Sequence, residues 1–84
     1  MSIYQVIWDP SVYSEVASAW LNAADRLKVM DAVHEIDQIL ICNPFAGGTE
    51  LSEELFWVDC VPLRAIYSID EAAKRVNVYR IRQI

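Results

Sequence analysis

The sequence predicts an α+β domain of order β-α-α-β-β-β, with a helical hairpin packed on one face of a mainly antiparallel sheet. Three observations predict it. A β-branched and aromatic run, Ile3 to Trp8, stops at Asp9-Pro10. Two stretches with apolar residues three and four apart follow, and they end at Pro44. The rest of the chain then alternates apolar and polar residues over Val61 to Ile69 and Val76 to Ile81. Helices grouped before a run of antiparallel strands define two layers, a sheet and the helix pair that covers it.

Taken in order, Ile3 to Trp8 has the composition of a buried strand. Asp9 can accept the free amides of a first helical turn, and Pro10 suits the first helical position, where no amide donor is needed. Glu15 lies early in that helix, where the dipole favours negative charge. Val12, Val16, Ala19 and Trp20 share one face of it. Asn22-Ala23-Ala24-Asp25 reads as a break, with Asp25 capping a second helix, although one long bent helix also fits the spacing. In the second helix Leu27, Met30, Val33, Ile36 or Asp37, and Leu40 follow helical spacing, so Met30 is expected in the core with the aromatic residues. Arg26, Asp31, Glu35 and Gln38 fall on the solvent side. Pro44 ends the helix and pushes Asn43 out of helical geometry. His34 has no second His or Cys nearby and is expected to be a partly buried or hydrogen-bonded structural residue.

Phe45 to Glu50 contains both glycines of the chain and reads as a helix-to-strand loop, with Gly47 and Gly48 permitting positive φ and a close backbone approach. It lacks the lysine and the spacing of nucleotide-binding glycine loops. Leu55 to Asp59 is a short strand, and Pro62 marks the start or edge of the next. Over Val61 to Ile69, Leu63, Ala65, Tyr67 and Ile69 share one face, and Arg64, Ile66 and Ser68 the other. Asp70 to Lys74 makes a hairpin loop into the last strand, which spans Arg75 to Gln83 at its widest.

Eighty-four residues give one domain, 1–84, with a single modest core, and 55% hydrophobic residues with nine aromatics are enough to fill it. No apolar run approaches the roughly 18 residues that span a bilayer. The chain starts on a strand-like pattern with no basic region or cleavage site, so the expectation is a cytoplasmic protein without membrane contact. Cys42 and Cys60 form no CxxC or Cys/His pattern and are expected to be reduced, half-buried thiols. No metal and no cofactor are expected. Charge is split along the chain. Residues 1–61 carry two cations, Arg26 and Lys28, against ten acids, a balance of −8. Residues 62–84 carry Arg64, Lys74, Arg75, Arg80 and Arg82 against Asp70 and Glu71, a balance of +3. The acidic total repels nucleic acid, while the local basic surface can hold phosphate or pair with helix carboxylates. Arg64, a single strong charge amid apolar residues, is either a structural ion-pair partner or part of the chemistry.

Ile36-Asp37 with Leu40 and Asn43-Pro44, then Leu63-Arg64-Ala65-Ile66-Tyr67-Ser68-Ile69-Asp70, then Val76, Val78 and Ile81, resemble the RelE/ParE superfamily of bacterial toxins, associated with toxin–antitoxin modules and plasmid stabilisation. The resemblance covers nearly the whole chain in order and length. It implies a toxin with an antitoxin protein as partner. The target would be mRNA on the ribosome, cleaved by an endoribonuclease (mRNA interferase), or DNA gyrase. In the cleaving members cations bind the scissile phosphate and stabilise charge while the ribose 2′-hydroxyl attacks. Arg64 matches the family's arginine on the third predicted strand, as the candidate catalytic residue, and Arg80 and Arg82 are candidates for phosphate or target binding. The catalytic set is depleted. Thr49, Glu50, Glu53 and Glu54 stand where cleaving members are basic. The register of Val76, Val78 and Ile81 puts the family's terminal basic pair on Gln83 and Ile84, so Arg80 and Arg82 need a bulge to be presented equivalently. The alternative implied is a non-catalytic interaction module of the same fold.

Overall fold

A computed structural model describes residues 3–84. The elements are β1 (Gln5–Trp8), α1 (Pro10–Asn22), α2 (Arg26–Cys42), α3 (Pro44–Gly47), β2 (Thr49–Ser52), β3 (Leu55–Cys60), β4 (Leu63–Asp70) and β5 (Arg75–Gln83). The five strands form one sheet in the order β1-β5-β4-β3-β2, with β1 parallel to β5 and the remaining neighbours antiparallel. The helical hairpin and the meander are those the sequence predicts. Two elements are additional: the supposed loop after Pro44 holds a one-turn helix, and Thr49–Ser52 forms an edge strand that gives the meander a fourth member. Polar β2 carried no alternation to reveal it, because all four of its residues are exposed.

Local chemistry sets the helix boundaries. Asp9 accepts the Ser11 amide, with Pro10 at the first helical position of α1, and Asp25 accepts the Lys28 amide at the start of α2. The chain therefore breaks between two helices, and the single bent helix does not occur. Asn43 serves twice, ending α2 and capping α3 through its side chain.

The core lies between the helices and one face of the sheet. β4 contributes Leu63, Ala65 and Tyr67, all fully buried, and β5 contributes Val76, Val78 and Ile81. Burying each of the larger apolar side chains stabilises the fold by about 1.5–3 kcal/mol. The buried face of α2 is Val29, Ala32, Ile36 and Leu40. This corrects the sequence reading: Leu27 is 77% exposed and Met30 48%. Both series have helical spacing, and the contact with β3, β4 and β1 selected the one centred on Ile36. Not every aromatic is core either, since Tyr13 is 62% exposed and Trp20, Phe45 and Tyr79 also reach solvent. His34 is exposed, so the structural role expected of it is not seen, and Cys42 is exposed while Cys60 is buried.

An aromatic series ties α3 to the sheet. Phe45 meets Tyr4 and Phe56 edge-on at centroid distances of 6.4 and 5.8 Å, and Phe56 stacks on Tyr67 at 5.8 Å. Gly48 is required there by close approach, since a β-carbon would stand 1.8 Å from the Tyr67 hydroxyl oxygen. Neither glycine has positive φ. Left-handed backbone falls instead on Glu54 (φ 68°) and Lys74 (φ 52°), at the turns before β3 and β5.

Candidate functional site

Arg64, Arg80 and Arg82 lie on or beside the sheet face that the helices leave open, and a bulge brings them there. Ile66 is opposite Arg80 and Tyr67 is opposite Val78, so Tyr79 is an extra residue in β5. With unbroken alternation, Arg80 and Arg82 would point with Val76 and Val78 into the core. The inserted residue reverses the parity, which buries Ile81 and exposes Arg80 and Arg82. Arg82 is directly opposite Arg64 in the β4–β5 ladder.

Two of the three arginines are engaged. Arg64 makes a forked contact with Asp59, its neighbour in the β3–β4 register: Nε donates to Oδ1 at 2.6 Å and Nη2 to Oδ2 at 2.9 Å. Its guanidinium also lies over the Trp57 ring, 4.5 Å from the centroid. The side chains of the pair are 42% and 29% exposed, so it is a surface bridge. The hydrogen bonds from Arg64 hold the Asp59 carboxyl below the usual carboxylate range, and Asp59 in turn raises the guanidinium. Arg80 reaches around the free edge of β5 to α1, where Nε donates to Glu15 Oε2 at 3.1 Å. The other Glu15 oxygen accepts the Ile81 amide at 3.2 Å, so this carboxylate stands in for a neighbouring strand beyond the end of β1. Among the described residues Arg82 has no ion-pair partner. It borders a groove of about 410 Å³ between α1 and the end of β5, lined also by Ser14, Glu15 and Ser18.

This arrangement can hold an anion at Arg82, with Arg64 as a shared contact. It is poorly suited to removing a proton. Asp59 is the carboxylate nearest in register to Arg64, and pairing makes it a weaker base than a free carboxylate. Arginine stays protonated at neutral pH. His34 lies on α2, in the helical layer, and does not join the arginines. The described residues contain no cluster of three or more metal-ligating side chains.

Asp59, Trp57 and Glu15 escaped the sequence reading. Asp59 was within reach of it, because a hairpin closing at Val61-Pro62 puts Asp59 opposite Arg64. Arg80 meets the expectation that C-terminal cations pair with helix carboxylates, but nothing along the chain singled out Glu15, 65 residues away.

No protein-family model matches the chain, and no curated protein matches it. Solved structures do. A chain of the toxin–antitoxin complex RelBE2 from Mycobacterium tuberculosis superposes with a TM-score of 0.82 at 17% identity, covering 100% of this chain and 94% of that one. A chain of the chromosomal ParDE system of P. aeruginosa gives 0.70 at 14% identity, covering 100% and 99%. The isolated E. coli RelE toxin gives 0.66 at 11% identity, covering 95% and 83%. The chain thus has the RelE/ParE fold from end to end, as its core motifs implied.

Proposed function

We propose that this chain is the toxin-fold member of a toxin–antitoxin pair, and that it acts by binding a macromolecular target without cleaving RNA. The observation that carries the second half is the state of the arginines and their carboxylates: Asp59 is engaged by Arg64, and Glu15 by Arg80 and the Ile81 amide. An RNA-cleaving site needs cations aimed at the phosphate and a base for the 2′-hydroxyl. A surface with one unengaged arginine, two paired arginines and the Trp57 ring beneath Arg64 meets the needs of protein recognition better. Gyrase is the first target to test, and the ribosome with its mRNA the second. The antitoxin is the expected protein partner, and the setting is the cytoplasm. The RelBE2 and ParDE structures, which are toxin–antitoxin systems, support the partner.

The test is growth of a bacterial culture after induced expression of wild type, Arg64→Ala and Arg82→Glu, with ribosomal mRNA cleavage measured in parallel. Growth arrest without mRNA cleavage, relieved by Arg82→Glu, is the expected result. Cleavage that disappears in Arg64→Ala would overturn the non-cleaving reading. Normal growth with soluble, folded protein would replace the toxin by a non-toxic interaction module of the same fold, a role that the two neutralised arginines also suit.

A further inference from the structure

Asp59 and Glu15 each commit a carboxylate to an arginine on or beside the open face, and they reach it from different parts of the fold. Asp59, on β3, takes the Nε–Nη2 edge of Arg64, an edge on which a guanidinium can fork an oxyanion. The Trp57 ring holds the same guanidinium, so Arg64 keeps its place when the carboxylate's charge is removed. Glu15, on α1, takes Arg80 Nε and the Ile81 amide, and it also lines the groove that Arg82 borders. Glu15 therefore sets the charge around two arginines. Both pairs are partly exposed, and surface pairs add little to stability. Their larger effect is on what the face can bind.

A protein gains affinity for a nucleic-acid strand with each phosphate its cations neutralise, and an arginine that already holds an anion gives little of that gain. Arg64, Arg80 and Arg82 against Asp59 and Glu15 leave a balance of +1, whereas amides at the two acidic positions would leave +3. The chain around them is acidic, with a total of −5. A polyanion meets that repulsion along its whole length, while an isolated carboxylate on a protein target needs only Arg82. We propose that Asp59 and Glu15 are specificity-determining residues, internal carboxylates that keep a three-arginine site closed to single-stranded RNA. The inference rests on the non-cleaving reading above, and it assigns to two side chains the selectivity that reading requires.

The test measures binding of the full chain to a fluorescently labelled single-stranded RNA of about 12 nucleotides, by anisotropy over a series of salt concentrations. The variants are Asp59→Asn, Glu15→Gln and the two combined. Each keeps a hydrogen-bond acceptor in place, and melting temperatures within a few degrees of wild type verify the fold. Asp59→Asn alone leaves the Glu15 contact with the β5 backbone untouched, so it reports even if the double variant melts early. The charge-matched control is Asp31→Asn with Glu53→Gln, two exposed acids in no ion pair among the described residues. Expected are weak wild-type binding and an affinity about tenfold or more higher in the double variant at low salt. The slope of log K against log salt is expected to steepen by about 0.7 for each arginine released. Adding Arg64→Ala to Asp59→Asn should abolish the gain of the single variant. Unchanged affinity and slope in the double variant would overturn the proposal, and so would an equal gain in the control, which would assign the effect to total charge. RNA cleavage by the wild type would overturn the function proposed above, whereas this inference falls on binding alone, so the two failures are distinguishable.

Discussion

The hydroxyl of Tyr67, in the centre of the sheet, donates to the carbonyl of Pro44 at 2.6 Å and so fastens the end of the helical hairpin to β4. Both residues are fully buried. Tyr67→Phe leaves the Pro44 carbonyl without its partner and is expected to cost about 1–3 kcal/mol in denaturant unfolding. Gly48→Ala forces a methyl against the same hydroxyl and, at 3.0 Å, the Trp57 carbonyl, and costs about 1–3 kcal/mol. Combined, the two changes are expected to cost less than their sum, since removing the hydroxyl relieves part of the clash. Strict additivity would show that the contact does not couple them.

Burial pushes the Tyr67 hydroxyl up to about 12. Its folded value lies above the unfolded one near 10, so its contribution is complete below about pH 10 and is lost as pH rises towards 12. Melting temperature is expected to fall across that window in the wild type and to fall less steeply in Tyr67→Phe. At the acid end Asp9, Asp59 and Glu71 are all held below the usual carboxylate range, by the Ser11 backbone amide, Arg64 and Lys74 respectively. Depressed carboxylates contribute above their unfolded values and lose that contribution as pH falls, so stability is expected to decline below about pH 4.

Arg64 and Asp59 form a surface pair, and surface pairs are worth about 0–1 kcal/mol. Arg64→Ala is therefore expected to melt within a few degrees of wild type, which makes it a clean functional probe. A loss several times larger would mean that the forked bridge and the Trp57 stack hold the β3–β4 hairpin together.

Glu15 bridges α1 to the edge of β5 through Arg80 and the Ile81 amide. Glu15→Ala is expected to cost about 1–2 kcal/mol. Glu15→Gln keeps an acceptor for the amide and should recover part of the loss. Equal losses in the two variants would assign the effect to charge alone.

Much of the scaffold was legible because local chemistry dictated it. Asp9-Pro10 and Asp25 cap helices wherever they stand, Pro44 ends one, and the alternation of Leu63, Ala65 and Tyr67 marks a strand with one buried face. The core motifs also carried the resemblance to the RelE/ParE fold, which the superposed structures bear out. The edge strand Thr49–Ser52 was illegible, because a fully exposed strand needs no periodic hydrophobicity and its pairing comes from β3.

The sequence by itself determined the order of the elements, the sheet's central strand and the four arginines that crowd the last two strands. Tertiary structure decided which of two apolar faces of α2 was buried, since both have the same period and only contact with the sheet separates them. It also decided the arginines' fate. The extra residue at Tyr79 turned Arg80 and Arg82 outward, and carboxylates from β3 and α1 came to Arg64 and Arg80. Spacing along the chain carries periodicity, whereas the charge that meets a given guanidinium is set by chain segments that only folding brings within a few ångströms.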